Sequence, residues 1–400
     1  MASLHLGCNG RQGLCELADL HTRYPAISDL KRAARRRIPH FVWEYLDSAT
    51  GAESVPRRNR AALDDVSLRP SILHGELTPD TAKTFLDRPY PLPFGVAPVG
   101  MSGLIWPDAE RLLAASATQA GLPYTLSTVA TQTPEDVGPL VAGHGWFQIY
   151  PPRDPAIRAD MLERARDGGF DTLVLTVDVP APSRRERQTR GGLVQPPRLT
   201  PRLLAQVARC PVWAAGTLRH GMPRMRLIDG YAGDLAKSGT LPSNAHVGYL
   251  LRTSPDWDYL RALRDAWDGK MIIKGVLNAD DAARLGDTGV DALWVSNHAG
   301  RQFDGAPATI NALPAIRAAT SLPLIMDSGI AGGLDILRAL AQGADFVMLG
   351  RAWHYALGAL GADGPAHLID LLRADMVANM HQIGAAGLAD LPSCLAQPDC

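Results

Sequence analysis

His298 and Arg301 stand three residues apart in a stretch, 296–305, that reads Ser-Asn-His-Ala-Gly-Arg-Gln-Phe-Asp-Gly. An imidazole takes or gives a proton near neutral pH. A guanidinium holds a carboxylate through two parallel hydrogen bonds. A base set beside a carboxylate clamp suits chemistry at the carbon next to a carboxylate. The stretch follows an apolar run, Ala292-Leu293-Trp294-Val295. Such a run, ending in a polar turn with glycine, reads as a buried strand that delivers its next residues to a surface. One histidine among the eleven of the chain means little alone, because a turn histidine often only hydrogen-bonds its neighbours. The whole run of residue types around it carries the reading.

Elements that could position such a pair recur along the chain. Short apolar runs at 93–98, 123–128, 145–151, 172–178, 271–276, 292–297, 323–329 and 346–351 read as buried parallel strands. Helical patterns lie between most of them, for example at 108–120, 154–167, 279–287 and 333–342. Strands alternating with helices imply a parallel sheet, and eight such units imply a closed (β/α)8 TIM barrel in the α/β class. An open doubly wound sheet is the alternative. No Gly-x-Gly-x-x-Gly follows an early strand, which disfavours it. An N-terminal helical segment precedes the barrel. Its basic run, 31–37, is expected to form one face of a short solvated helix.

Active sites of this fold sit at the carboxyl ends of the strands. There the chain presents Ala97-Pro98-Val99-Gly100, then Ser127, Gln148 and Tyr150, Thr176 and Asp178, Lys274, His298 and Arg301, Asp327 and Gly329, and Gly350-Arg351. A purely structural barrel has no reason to gather Lys, His, Arg and two Asp at one rim. After the last two strands come Gly329, Gly332-Gly333 and Gly350. Backbone amides at glycine-rich turns bind phosphate, and this is the usual phosphate position of the barrel.

With 46% hydrophobic and 20% charged residues the composition is ordinary for a globular protein. A net charge of -1 gives no reason to expect nucleic acid. No apolar run reaches transmembrane length, and the first residues lack the apolar stretch of a signal peptide. The five cysteines, at 8, 15, 210, 394 and 400, show no metal-type pairing, so no metal is expected and a reduced compartment is the simpler reading.

About ninety residues separate the fourth and fifth strands, far more than a barrel connection needs. Within 184–226 lie ten Arg and one acid, Glu186, with Leu203-Leu204, Val207 and Val212-Trp213 interleaved. A basic, partly apolar insertion suits an anionic membrane surface; a solvated loop or a subunit contact is the alternative.

The decapeptide resembles the active-site signature of the FMN-dependent α-hydroxy-acid dehydrogenase and oxidase family, whose usual form is Ser-Asn-His-Gly-Gly-Arg-Gln-Leu-Asp. Ala299 and Phe303 are mild departures. The resemblance runs from about 27 to 383, which makes 1–400 a single domain with 179–255 as a long loop after the fourth strand. It implies FMN as cofactor. Gly329, Gly350 and Arg351 would hold the phosphate, and Asp327 the ribityl chain. Lys274 would stabilise the reduced ring, and Ser127, Gln148, Thr176 and Ser296 would meet its edge. Residues 97–100 would lie against its face. On the substrate side the resemblance makes His298 the base, Asp178 its partner, Arg301 and Arg185 the carboxylate clamp, and Tyr150 a donor to the developing carbonyl oxygen.

Two departures bear on these roles. Val42-Trp43-Glu44-Tyr45 is similar to a family segment, Val-Tyr-Asp-Tyr, and sets Trp43 at the substrate site. In Asp327-Ser328-Gly329-Ile330-Ala331 the family ends in a phosphate-binding Arg, for which Arg338 and His354 are the possible stand-ins. Ala-Pro-Val-Gly, the long fourth loop and Trp-Asp-Gly before the fifth strand are most similar to the bacterial members acting on L-lactate. The implied reaction is oxidation of an (S)-2-hydroxy acid to the 2-oxo acid. Gly100 favours passing electrons to a quinone or cytochrome. The resemblance further implies a homo-oligomer, a tetramer, in the cytoplasm or peripheral on the inner face of the cytoplasmic membrane. Two rivals stand beside this reading: an oxygen-using oxidase or tailoring flavoenzyme on a larger substrate, and an FMN-free barrel acting as a binding subunit.

Overall fold

The computed structural model describes residues 19–192, 200–231 and 254–396. A hairpin, β1 (Lys83–Phe85) and β2 (Arg88–Tyr90), precedes eight strands: β3 (Phe94–Val96), β4 (Tyr124–Ser127), β5 (Gly145–Ile149), β6 (Thr172–Thr176), β7 (Lys270–Val276), β8 (Ala292–Val295), β9 (Leu324–Met326) and β10 (Phe346–Leu349). These eight form a closed barrel in the order β10-β3-β4-β5-β6-β7-β8-β9, every neighbour parallel. Each expected strand is present, trimmed at its carboxyl end in most cases. The trimmed residues have left the ladder and turned toward the rim, where side chains do chemistry.

Alternation along the strands divides the core in two. Trp146, Val174, Ile272, Trp294 and Phe346 point into the lumen, while Phe147, Leu173, Leu175, Ile273 and Leu293 face the helices. The hairpin closes the amino-terminal end of the lumen, with Phe85 stacked at 5.0 Å on Phe346 and Tyr90 at 5.2 Å on the same ring. Aromatic filling of this end leaves the opposite end free for polar groups. Some of the helices between strands begin on side-chain caps: Thr133 accepts from Asp136 N, Asp154 from Ala156 N and Asn278 from Asp280 N.

The helix over the basic run, Ile27–Arg37, is amphipathic: Arg32, Arg35 and Arg36 lie on its exposed face, as expected, and the opposite face is buried. Leu30 and Ala34 are fully buried, and Ala34 meets Gly358 of helix Arg351–Leu360 so closely that a Cβ at Gly358 would stand 2.9 Å from the Ala34 Cβ. Three of its basic side chains also make contacts. Arg37 donates to the Ala359 carbonyl, Arg35 lies over the Trp43 ring, and Lys31 pairs with Asp47 at 2.7 Å.

After β6 the insertion forms helices Glu186–Gly191, Pro201–Ala208, Pro211–His220 and Arg226–Tyr231; its residues 193–199 and 232–253 lie outside the described residues. Trp213 is not a membrane-facing residue. It is 4% exposed, donates from Nε1 to the Leu104 carbonyl at 3.1 Å and meets Phe41 edge to face. Among the described residues, Leu204, Val212, Leu218 and Met222 are the exposed large apolar side chains of this segment.

Candidate active site

The carboxyl ends of the strands open onto one cavity of about 480 Å³. Ala97, Pro98, Val99, Gly100, Tyr150, Arg185, Lys274, His298, Arg301, Asp327, Gly329, Ala331, Gly350 and Arg351 all line it. Asp178 lies behind His298, and Ser127, Gln148, Thr176 and Ser296 lie buried at the strand ends without lining it.

His298 and Asp178 form a pair. The imidazole Nδ1 sits 3.2 Å from both carboxylate oxygens, which directs Nε2 away from the carboxylate. Burial pushes the His298 ring below its ordinary value, with Asp178 opposing, so the ring is neutral at pH 7 and able to accept a proton. Burial would raise the Asp178 carboxyl, but His298 and Lys274 hold it below the usual carboxylate range. Asp178 is therefore ionised and ready to stabilise an imidazolium. Asp178 fits there because β7 bulges between Lys274 and Val276 at Gly275. With φ of 106°, a Cβ on Gly275 would stand 2.6 Å from the Asp178 Cβ.

Beside the pair stand three guanidinia. Arg301 donates to the Leu46 carbonyl at 3.1 Å, Arg185 to Ser183 Oγ at 3.1 Å, and Arg351 to the Asp47 and Ala299 carbonyls at 3.0 and 3.1 Å. Among the described residues none of the three makes an ion pair. Burial, then Arg185 and Arg351, pull Arg301 down to about 9, which leaves it charged at neutral pH and lacking an anion. Burial and the Asp178 charge push the Tyr150 hydroxyl up to about 12, so it remains a donor.

Lys274 is fixed from below. Its Nζ donates to Ser296 Oγ at 2.7 Å and lies 3.0 Å from Asp327 Oδ2. Trp294 Nε1 reaches the same oxygen at 3.0 Å, and Ser328 donates to the other at 2.5 Å. A carboxylate has about four acceptor positions, so Asp327 retains one for a ligand. Gln148 accepts from Ser127 Oγ at 2.8 Å, but its Nε2 has no partner, and neither does Thr176 Oγ1. Buried polar atoms are normally satisfied. Two orphans beside a fixed lysine fit the polar edge of a flavin ring, and the unpaired guanidinia fit two anions, a substrate carboxylate and a phosphate. Strain marks the same rim: Met101, Arg185, His298, Ala299 and Ser328 are non-glycine residues in the left-handed region.

The phosphate end differs from expectation in two ways. The Gly332-Gly333 turn is already occupied by carboxylates, Asp335 accepting from Ala331 N at 2.8 Å and Asp375 from Leu334 N at 3.1 Å. Gly350 and Arg351 remain available. Neither expected stand-in for the missing arginine lines the cavity. Arg338 is bound to Asp335 and the Val66 carbonyl, and His354 is fully buried, its ring pushed down to about 4 by burial.

Trp43 is not at the substrate site. It is 3% exposed and packs on Tyr355 with ring centroids 5.8 Å apart. Tyr45 lines the cavity instead, donating to the Gly100 carbonyl at 2.7 Å beneath the Arg301 guanidinium. Residues two apart on helix His40–Asp47 take different faces, and sequence similarity alone did not settle which aromatic faced inward. Sequence reasoning also missed Lys31, Arg60, Val129 and Tyr355, which line the cavity. The helical period of 27–37 could have set Lys31 beside the core-facing Leu30 and Ala34.

The FMN-dependent dehydrogenase family profile matches residues 34–397, and the chain belongs to that family. It is an FMN-dependent hydroxy-acid dehydrogenase. Among its relatives, the L-lactate dehydrogenase of Xanthobacter autotrophicus is 39% identical over 370 residues, 91% of this chain and 94% of the relative. That of Pectobacterium atrosepticum is 38% identical, covering 92% and 95% of the two chains. Among solved structures, the monotopic membrane protein (S)-mandelate dehydrogenase superposes with a TM-score of 0.86 at 32% identity, covering 93% of this chain and 99% of that one.

Proposed function

We propose that the chain oxidises an (S)-2-hydroxy acid, with L-lactate as the leading substrate. The observation that carries this is the His298–Asp178 pair standing in one cavity with Arg185, Arg301 and Tyr150. Arg301 and Arg185 hold the substrate carboxylate, and two fixed guanidinia set the α-carbon in one orientation. His298 takes one proton at Nε2, and Asp178 stabilises the imidazolium that results. Tyr150 donates to the oxygen that becomes the carbonyl. Bound FMN would supply the acceptor for the two electrons and the second proton that leave the substrate. Lys274 places a positive charge where that charge accumulates.

Dehydrogenase chemistry, with electrons passed to a quinone or cytochrome, is favoured over use of oxygen by Gly100. As folded, that position has no space for a larger residue: a Cβ would stand 2.5 Å from Val129 Cγ2. The basic insertion with exposed Leu204, Val212, Leu218 and Met222 supports attachment to an anionic membrane from the cytoplasmic side. Among the described residues no helix is long and apolar enough to cross a membrane. A homotetramer is the assembly that the family resemblance suggests.

A screen of 2-hydroxy acids with an artificial electron acceptor, alongside oxygen consumption, tests this reading. L-lactate should give the highest kcat/KM with the dye and little oxygen uptake. Rapid oxygen use, or preference for a bulky acid, would favour the oxidase alternative.

A further inference from the structure

Six cations line the cavity: Lys31, Arg60, Arg185, Lys274, Arg301 and Arg351. Arg185 and Arg301 stand with His298 and Tyr150, and Lys274 is fixed on Ser296 and Asp327. Arg60 lies near Ala331, since Asp335 Oδ2 lies 2.6 Å from Arg60 and 2.8 Å from Ala331 N. Its donors are all taken. Nε donates to Asp64, one terminal nitrogen to the Gly329 carbonyl and Asp335, and the other to Asp64 and Asp335. A guanidinium has five N–H groups and no more.

Lys31 differs. Among the described residues its only polar partner is Asp47 Oδ1, 2.7 Å from Nζ. An ammonium has three N–H groups, so two remain. The side chain is 45% exposed and its head lies 5.3 Å from the Tyr355 ring centroid. Tyr355 is one helical turn beyond Arg351, on the same helix face. Asp47 ties the group together: its carboxylate accepts from Lys31 and from the Tyr355 hydroxyl at 2.8 Å, and its carbonyl accepts from Arg351 at 3.0 Å. Arg351 itself has used two of its five donors.

We propose that Lys31 binds the 5′-phosphate of FMN together with Arg351, supplying the charge that Ala331 does not. A phosphate monoester carries close to two negative charges and three acceptor oxygens, which one guanidinium does not balance alone. Two cations held side by side by Asp47, each with free donors, match that ligand. The inference rests on FMN as cofactor and concerns a helix that precedes the barrel.

The test follows release of FMN from the holoenzyme after dilution, read by the fluorescence of the freed flavin. Lys31→Gln should speed release about tenfold, and Lys31→Arg should stay within about threefold of wild type. Lys31→Met, which keeps the aliphatic stem over Tyr355, should behave as Lys31→Gln. Reconstitution with riboflavin, which lacks the phosphate, separates binding from scaffolding. Wild type and Lys31→Gln should hold riboflavin equally. FMN release at the wild-type rate from Lys31→Gln would overturn the proposal. So would equal weakening of FMN and riboflavin, which would make Lys31 only a support for Asp47.

Discussion

A neutral histidine beside an ionised aspartate is the residue-scale requirement of the proposed chemistry, and it fixes the pH response. Because burial lowers the His298 pKa, the base is neutral above that value and lost as pH falls through it. The acid limb of kcat/KM should therefore inflect below the ordinary imidazole value of 6.5. Asp178→Asn removes the group that opposes burial, so it should lower kcat strongly and shift the acid limb further down. An inflection above the ordinary value, or one unmoved in Asp178→Asn, would separate His298 from the proton transfer. At this scale most of the site was legible. His298, Arg301, Arg185, Lys274 and Asp178 sit on strand ends or in motifs whose types announce chemistry. Tyr45 and Lys31 were not legible in their roles, because each lies on a helix whose inward face is chosen by packing against other elements. Trp43 was misplaced for the same reason.

Elements decide how accurately those residues meet. The eight strands were readable because each is a short apolar run bounded by turn residues, and the barrel followed from their number. The bulge in β7 was not readable, since nothing in Lys274-Gly275-Val276 shows that Asp178 will press on Gly275. It is nonetheless the feature that lets β6 and β7 deliver Asp178 to His298. Gly275→Ala should fold less stably by about 1–2 kcal/mol, the cost of a left-handed non-glycine residue. It should also lower kcat at least about a hundredfold by displacing Asp178. Thermal melts and steady-state rates check both, and a wild-type kcat would mean that the pair does not need this geometry. The basic helix 27–37 was legible in its exposed basic face, whereas the contact of Ala34 with Gly358 that buries the other face was not.

At the scale of the whole molecule the chain carries a barrel-mouth cavity, proposed to hold FMN, and a basic insertion, proposed to meet a membrane. Of the arginines in 184–226, Arg185 enters the cavity and Arg187 is committed to Glu44, Asp47 and Glu53. Arg202, Arg209 and Arg219 remain for an external partner, next to Leu204, Val212, Leu218 and Met222. Each basic group near an anionic bilayer contributes on the order of 1 kcal/mol. Wild type should co-sediment with anionic liposomes and less so at high salt, and Leu218→Asp with Met222→Asp should reduce binding while leaving turnover with a soluble dye unchanged. Equal, negligible sedimentation of both proteins would leave the insertion as a solvated loop or a subunit contact. The most direct measurement of all is anaerobic mixing of the holoenzyme with L-lactate while the visible flavin absorbance is followed. Wild type should bleach with L-lactate and not with D-lactate, and His298→Ala should keep its flavin band yet fail to bleach. Absence of bleaching in wild type with any 2-hydroxy acid, or bleaching of His298→Ala at the wild-type rate, would contradict oxidation of a 2-hydroxy acid by His298 at this barrel mouth.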